Sequence, residues 1–110
     1  MTNPNLVPIL SVVELPAYIN HHGGLNRVVA VFNGEEVVVE RAGLDASDFE
    51  RRSNVLVQAR DGEWAGLAAG NVGYGGGGPA DFRTALVKMG VDEEVAAKLS
   101  LQEEVDYTHL

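Results

Sequence analysis

Between residues 73 and 78 every position but one is glycine: Gly73, Tyr74, Gly75, Gly76, Gly77 and Gly78 run straight into Pro79 and a helix-like segment. Glycines ahead of a helix start let backbone N–H groups turn toward an anion, and the helix dipole favours negative charge at that end. With Tyr74 available to stack on a ring and Arg83 to meet a charge, this set would suit a small anionic ligand. The same residues also suit a tight connection with positive φ, in which Tyr74 packs down and the chain turns back over a sheet. A nucleotide-hydrolase phosphate loop is excluded, because Pro79-Ala80 stand where Lys and Ser or Thr would be required. Gly73, Gly75 and Gly78 match the dinucleotide fingerprint in spacing alone. That fingerprint also needs a parallel βαβ unit and an acidic residue about twenty positions on, and Asp92 and Glu93 at that distance fall on an expected helix. Asp81, expected in the first helical turn, would use the dipole itself and oppose a phosphate, with Arg83 as an offset.

Other reactive side chains form no set. His21 and His22 are adjacent, and neighbours point to opposite sides of a strand or about 100° apart on a helix, so they do not share a metal. With Gly23-Gly24 behind them they are expected in an exposed loop. Glu103, Glu104, Asp106 and His109 resemble a solvated face more than a cation site. The four serines, Ser11, Ser47, Ser53 and Ser100, have no elbow motif or sequence-near histidine. Glu35 and Glu36 lie at a turn. Arg51, Arg52 and Arg60 are the one basic concentration, expected to neutralise Glu50, Asp61 and Glu63. No catalytic residue, metal ligand or cofactor emerges, and the sequence leans away from an enzyme.

The stretch GYGGGGP, Gly73 to Pro79, followed by a helix with Phe82, Ala85 and Leu86, resembles the G-Y-G-G-x-G-P signature of small uncharacterised domains of bacteria and their phages. The likeness covers about a fifth of the chain. It departs at Val72, where an aromatic residue often stands, and at Arg83, in a helix that is usually more apolar. The resemblance implies a bacterial or phage origin and a cytoplasmic location, and no activity.

Composition narrows the partners. Sixteen acidic residues against eight basic ones leave a net charge of −8, which repels nucleic-acid backbones. The chain contains no cysteine, so disulfides and thiol chemistry are excluded. Pro8, Glu14 and Pro16 interrupt the N-terminal apolar run, which suits neither a signal peptide nor a membrane span. At 110 residues one domain is expected over 1–110, with residues 1–5 and 106–110 frayed.

The expected scaffold is α+β: an antiparallel sheet of two hairpins plus an N-terminal strand, with two C-terminal helices on one face. The first hairpin would turn at Asn33-Gly34 and pair Phe32 with Glu35, Ala30 with Val37, Val28 with Val39 and Arg27 with Glu40. The second would turn at Asp61-Gly62, pairing Ala59 with Trp64 and Val57 with Gly66, so that Trp64 covers Val55, Val57 and Ala59. Between them, Asp45 caps a short helix anchored by Phe49. One C-terminal helix opens with Gly78 as cap and Pro79 at its first position, buries Phe82, Ala85, Leu86 and Met89, and stops at Gly90. Another starts at Asp92 and carries Val95 and Leu99. Ile9 to Leu15 is expected as a strand cut off at Pro16.

These features point to a small acidic cytoplasmic protein-interaction module of the immunity, antitoxin or phage accessory kind, with a protein, and a basic one in particular, as partner. The alternative is a domain binding a small anionic ligand or nucleotide through Gly73 to Gly78 and Arg83. Nucleic acid and membrane are not expected partners.

Overall fold

The computed structural model describes residues 6–110; the fraying expected for residues 1–5 lies outside them. In chain order the elements are β1 (Ile9–Leu10), α1 (Glu14–His21), β2 (Leu25–Val31), α2 (Glu35–Arg41), a 3₁₀ turn (Ala46–Asp48), β3 (Val55–Ala59), β4 (Trp64–Leu67), α3 (Gly77–Lys88), α4 (Glu93–Ser100) and β5 (Glu104–Thr108). The strands form one sheet in the order β1-β4-β3-β2-β5. The fold is α+β as expected, but the sheet is mixed, because β1 runs parallel to β4 while the other neighbours are antiparallel.

Alternation along the central strands builds two apolar layers. Val28 and Ala30 of β2, Val55, Val57 and Ala59 of β3, and Val105 of β5 pack with Leu15 and Ile19 of α1, Phe82, Ala85, Leu86 and Met89 of α3, and Ala96 of α4. On the opposite face Val29, Val31 and Leu56 meet Val38 of α2, with Phe49 and Trp64 beside them. The two C-terminal helices share one face, as expected, and α2 covers the other. The pair α3 and α4 does pack together, as expected of the C-terminal helices.

The first expected hairpin does not form: β2 is followed by α2. A type I′ turn needs positive φ at both central residues; Asn33 has φ 46°, while Gly34 has φ −112°. A side chain at Gly34 would lie 2.4 Å from Val31 Cγ1, so the glycine serves close backbone approach. Glu35 and Glu36 in the first turn and Arg41 in the last favour a helix through the dipole. Burial of Val38 then outweighs the strand preference of Val37 to Val39.

The second hairpin forms one residue out of the expected register. Gln58 faces Trp64, Val57 faces Ala65 and Leu56 faces Gly66. The loop holds three residues instead of two, because the Gly62 N–H donates to Ala59 O at 3.0 Å and Gly62 takes φ 96° as the left-handed bulge residue. A slip of one residue turns Trp64 to the α2 face, away from Val55, Val57 and Ala59.

At the N-terminus the expected strand is confined to Ile9–Leu10, and a helix, α1, begins at Glu14 and runs through Pro16. The Glu14 N–H donates to Ser11 Oγ and the Ser11 N–H to Glu14 Oε1, both at 3.1 Å, a capping box that opens the helix. Asp45 caps as expected, over a single 3₁₀ turn with Asp48 completing the box. The stop of α3 is also as expected: the Gly90 N–H donates to Val87 O and the Val91 N–H to Leu86 O, with Gly90 at φ 98°. Asp92 caps α4 through the Glu94 N–H. That helix ends at Ser100, and Asp106 to Thr108, expected to be frayed, belong to β5.

Candidate functional site

The C-terminal end of β2, the glycine loop, the start of α2 and the α4–β5 turn meet at one end of the molecule. Five hydrogen bonds assemble it. The Phe32 N–H donates to Glu103 O at 2.7 Å, and the Gly73 N–H to Ser100 O at 2.9 Å. Asn71, which is buried, receives the Asn33 N–H at 3.1 Å on Oδ1 and donates from Nδ2 to Asn33 Oδ1 at 2.7 Å. Asn54 Nδ2 holds Gly70 O at 3.2 Å. The glycine loop is thus tied on three sides to strand and helix ends.

Within the loop the glycines differ in role. Gly73 alone among them has positive φ, 87°, and a side chain there would lie 3.1 Å from Glu103 Cα. At Gly76 it would meet the Tyr74 ring at 2.6 Å, and at Gly78 it would meet Asn71 Cβ at 2.9 Å and the Tyr74 hydroxyl at 3.0 Å. Gly75 and Gly77 have no neighbour within 4 Å at that position. Tyr74 therefore lies back over its own loop. It meets Phe32 edge to face at a centroid distance of 5.8 Å. The expectation of positive φ throughout holds only at Gly73.

Of the residues proposed from sequence, Tyr74, Gly75, Gly76 and Arg83 line a hollow of about 180 Å³ with Pro79, Ala80, Ser100 and Leu101. Gly73, Gly77 and Gly78 do not line it. α3 starts at Gly77, with Gly76 at the cap position and no side-chain cap, so Pro79 is its third residue, not its first. Asp81 then falls beyond the first turn and leaves that end of the helix without a carboxylate. A second hollow, of about 380 Å³, lies beside the Asn33 turn and is lined by Asn33, Gly34, Glu35, Glu36, Val37 and Asn54. Asn54 Oδ1 is buried there without a hydrogen-bond partner among the described residues.

The surface around these hollows is apolar at its centre and mostly acidic at its margin, with Arg83 exposed beside Tyr74 and Leu101. Phe32 is 38% exposed, Tyr74 39% and Leu101 66%. Glu35, Glu36 and Glu103 are all exposed around them. Phe32 and Leu101 carry no site signal in the sequence, since only the long-range pairing of β2 with β5 brings them to Tyr74; Asn71 is near Tyr74 in the chain, but its partner Asn33 is not.

The remaining candidates disperse. His22 lies at the C-terminal cap of α1, its Nδ1 2.6 Å from Asp61 Oδ2, while His21 closes the helix and is exposed. Hydrogen bonding from the Glu63 N–H, and then from His22, holds the Asp61 carboxyl below the usual carboxylate range. Glu104 pairs with Arg41 at 2.7 Å and Asp106 with Arg27 at 2.9 Å. His109 Nδ1 sits 2.8 Å from the Tyr107 hydroxyl. Arg51 donates to Ile9 O and Arg60 to Leu25 O, and Arg52 lies 3.5 Å from Glu36, so among the described residues none of the three pairs with Glu50, Asp61 or Glu63 as expected. Among the described residues no group of three or more His, Asp or Glu side chains could hold a metal. No helix among them is long and apolar enough to cross a membrane.

Comparison of the chain with protein-family models, with curated proteins and with solved structures finds no match.

Proposed function

We propose that the chain is a cytoplasmic, non-enzymatic protein-interaction module, and that it docks a partner on the end of the molecule built around Phe32, Tyr74 and Leu101. The observation that carries this is the convergence of three exposed apolar side chains from three separate segments, rimmed by Glu35, Glu36 and Glu103. An apolar centre with a polar rim is the anatomy of a protein interface, and aromatic anchors dominate the energetics of such surfaces. The acidic rim and the net charge of −8 favour a partner with a basic surface, which they would also steer on approach. The module would be of the immunity, antitoxin or phage accessory kind.

A photo-crosslinking residue placed at Leu101, in the cells that encode the protein, tests the proposal. The expected product is a discrete crosslink to one basic protein, absent when the same residue is placed at exposed His21 on the opposite end. Equal or no crosslinking from both positions would refute it.

A second reading rests on the hollow that gathers Tyr74, Gly75, Gly76 and Arg83. At about 180 Å³ it is smaller than the roughly 300–1,000 Å³ of drug-sized ligand sites, so it would take an anion of phosphate size and not a nucleotide. A thermal shift on adding inorganic phosphate, abolished by Arg83→Ala, would favour it. A flat response leaves the docking surface as the function of this end.

A further inference from the structure

The outer edge of β5 carries no neighbouring strand among the described residues. At the opposite edge of the sheet β1 spans two residues, whereas β5 spans five. The ladder with β2 settles which backbone groups of β5 are free. Val105 faces Ala30 and Tyr107 faces Val28. At the two ends of the ladder the Phe32 N–H donates to Glu103 O and the His109 N–H to Asn26 O. Residues 103, 105, 107 and 109 therefore turn their N–H and C=O groups toward β2. By the alternation of an antiparallel ladder, Glu104, Asp106 and Thr108 point theirs outward.

Natural edges are commonly blunted by lysine, proline, a bulge or an unpaired charge. β5 has no lysine or proline between Glu104 and Thr108, and its ladder with β2 runs without the register shift found between β2 and β3. Each of its two carboxylates is partly offset by an arginine of the same chain. Arg27 grips both oxygens of Asp106 at 2.9 and 3.0 Å, and Arg41 holds Glu104 at 2.7 Å. A basic strand would find these acids engaged, while a second acidic chain would not be repelled by them in full.

We infer that β5 pairs antiparallel with β5 of a second copy of this chain, about a two-fold axis at Tyr107, to make one continuous sheet. Charge and an aromatic pair at the axis together set the register. An axis at Asp106 would set that carboxylate against its own copy, and an axis at Val105 would set Glu104 against Asp106, both unfavourable across a ladder. An axis at Tyr107 sets Asp106 against Thr108, Glu104 against Leu110 and Val105 against His109, so that no two acidic side chains stand opposite each other. Tyr107 then faces Tyr107 of the second copy in a non-hydrogen-bonded position, where the Cα atoms approach to about 4.5 Å and aromatic pairs are favourable. This surface uses none of Phe32, Tyr74 and Leu101, so it goes beyond the docking function and stands or falls without it.

Sedimentation of the purified chain over a wide concentration range tests the pairing. The mass is expected to rise from 11.7 kDa toward twice that value. Association should tighten with added salt, which screens the repulsion between two copies of charge −8. Thr108→Pro removes an outward N–H and spares the ladder with β2, so it should weaken the dimer at least about tenfold. If that variant fails to fold, Thr108→Glu, which sets a carboxylate against Asp106 of the second copy, should weaken it also. Because the chain contains no cysteine, Tyr107→Cys should oxidise to a disulfide-linked dimer while Asp106→Cys does not. A single-chain mass at millimolar concentration in high salt would overturn the dimer, and a disulfide through Asp106→Cys in place of Tyr107→Cys would overturn the register.

Discussion

The two ends of the sheet are both closed by glycine-rich loops, yet they are built on opposite principles. At the His22 end, Gly23, Gly24 and Gly62 have φ of 98°, 100° and 96°. Each supplies a conformation that the backbone hydrogen bonds require. The Gly24 N–H donates to Ile19 O, the Arg60 N–H to Gly24 O and the Asp61 N–H to His22 O, with the His22–Asp61 contact closing the group. At the Tyr74 end only Gly73 is held in that way, and Gly75 and Gly77 stand in open space. Glycine at the first end closes the fold. At the second it keeps the surface around Tyr74 low and leaves aromatic side chains exposed, as a contact surface needs.

Substitutions sharpen this contrast. The largest effect is expected at Gly73, where alanine adds left-handed strain to a close approach on Glu103 Cα; the loss is about 2–3 kcal/mol, measurable by urea unfolding. Gly24→Ala, which has the strain but no contact under 3.8 Å, should cost about 1–2 kcal/mol in the same measurement. Gly77→Ala and Gly75→Ala should change stability by less than about 1 kcal/mol, with Gly77→Ala stabilising because it lies inside α3. A large loss at Gly75 would break the comparison, since nothing lies near enough there to be disturbed.

Acid acts on the closed end. The Asp61 carboxyl is held below its ordinary value chiefly by the Glu63 N–H and then by His22, and Asp106 is lowered by Arg27. Groups with a depressed folded pKa bind protons more readily when unfolded. Their contribution is therefore complete above the ordinary carboxylate value and is lost as pH falls through the lower folded one. Urea midpoints measured from neutral pH down to about pH 3 should fall less steeply for Asp61→Asn than for the parent. Equal slopes would remove the Asp61 carboxylate from the account of that end. The smallest effect is expected from Leu101→Asp, which should leave stability within about 0.5 kcal/mol because the side chain is already two-thirds exposed.

Local signals in the sequence carried the ends of elements better than their identity. Asp45, Asp92 and Gly90 mark element ends where the structure has them, because capping is settled by the residue and its immediate neighbours. Asn33-Gly34 misleads because the same dipeptide serves a left-handed entry into a helix, and Val37 to Val39 carry strand preference that burial of Val38 overrides. Two signals stand in the sequence that the strand and frayed-tail readings leave unused: Ser11-x-x-Glu14 is a capping box, and Glu104 to Thr108 alternate with Val105 buried between exposed carboxylates. The glycine loop was legible as a connection before α3, with Tyr74 packed on it. Its neighbours were not, since Phe32 and Leu101 reach Tyr74 only through the pairing of β2 with β5 and the turn that precedes β5.

The most direct test of the contrast is quantitative capture from an extract of the encoding cells, using the parent, Leu101→Asp and His21→Asp side by side. The account predicts a basic protein bound equally by the parent and His21→Asp and lost with Leu101→Asp, all three unfolding at similar urea concentrations. Binding that survives Leu101→Asp, or falls equally with His21→Asp, would contradict it.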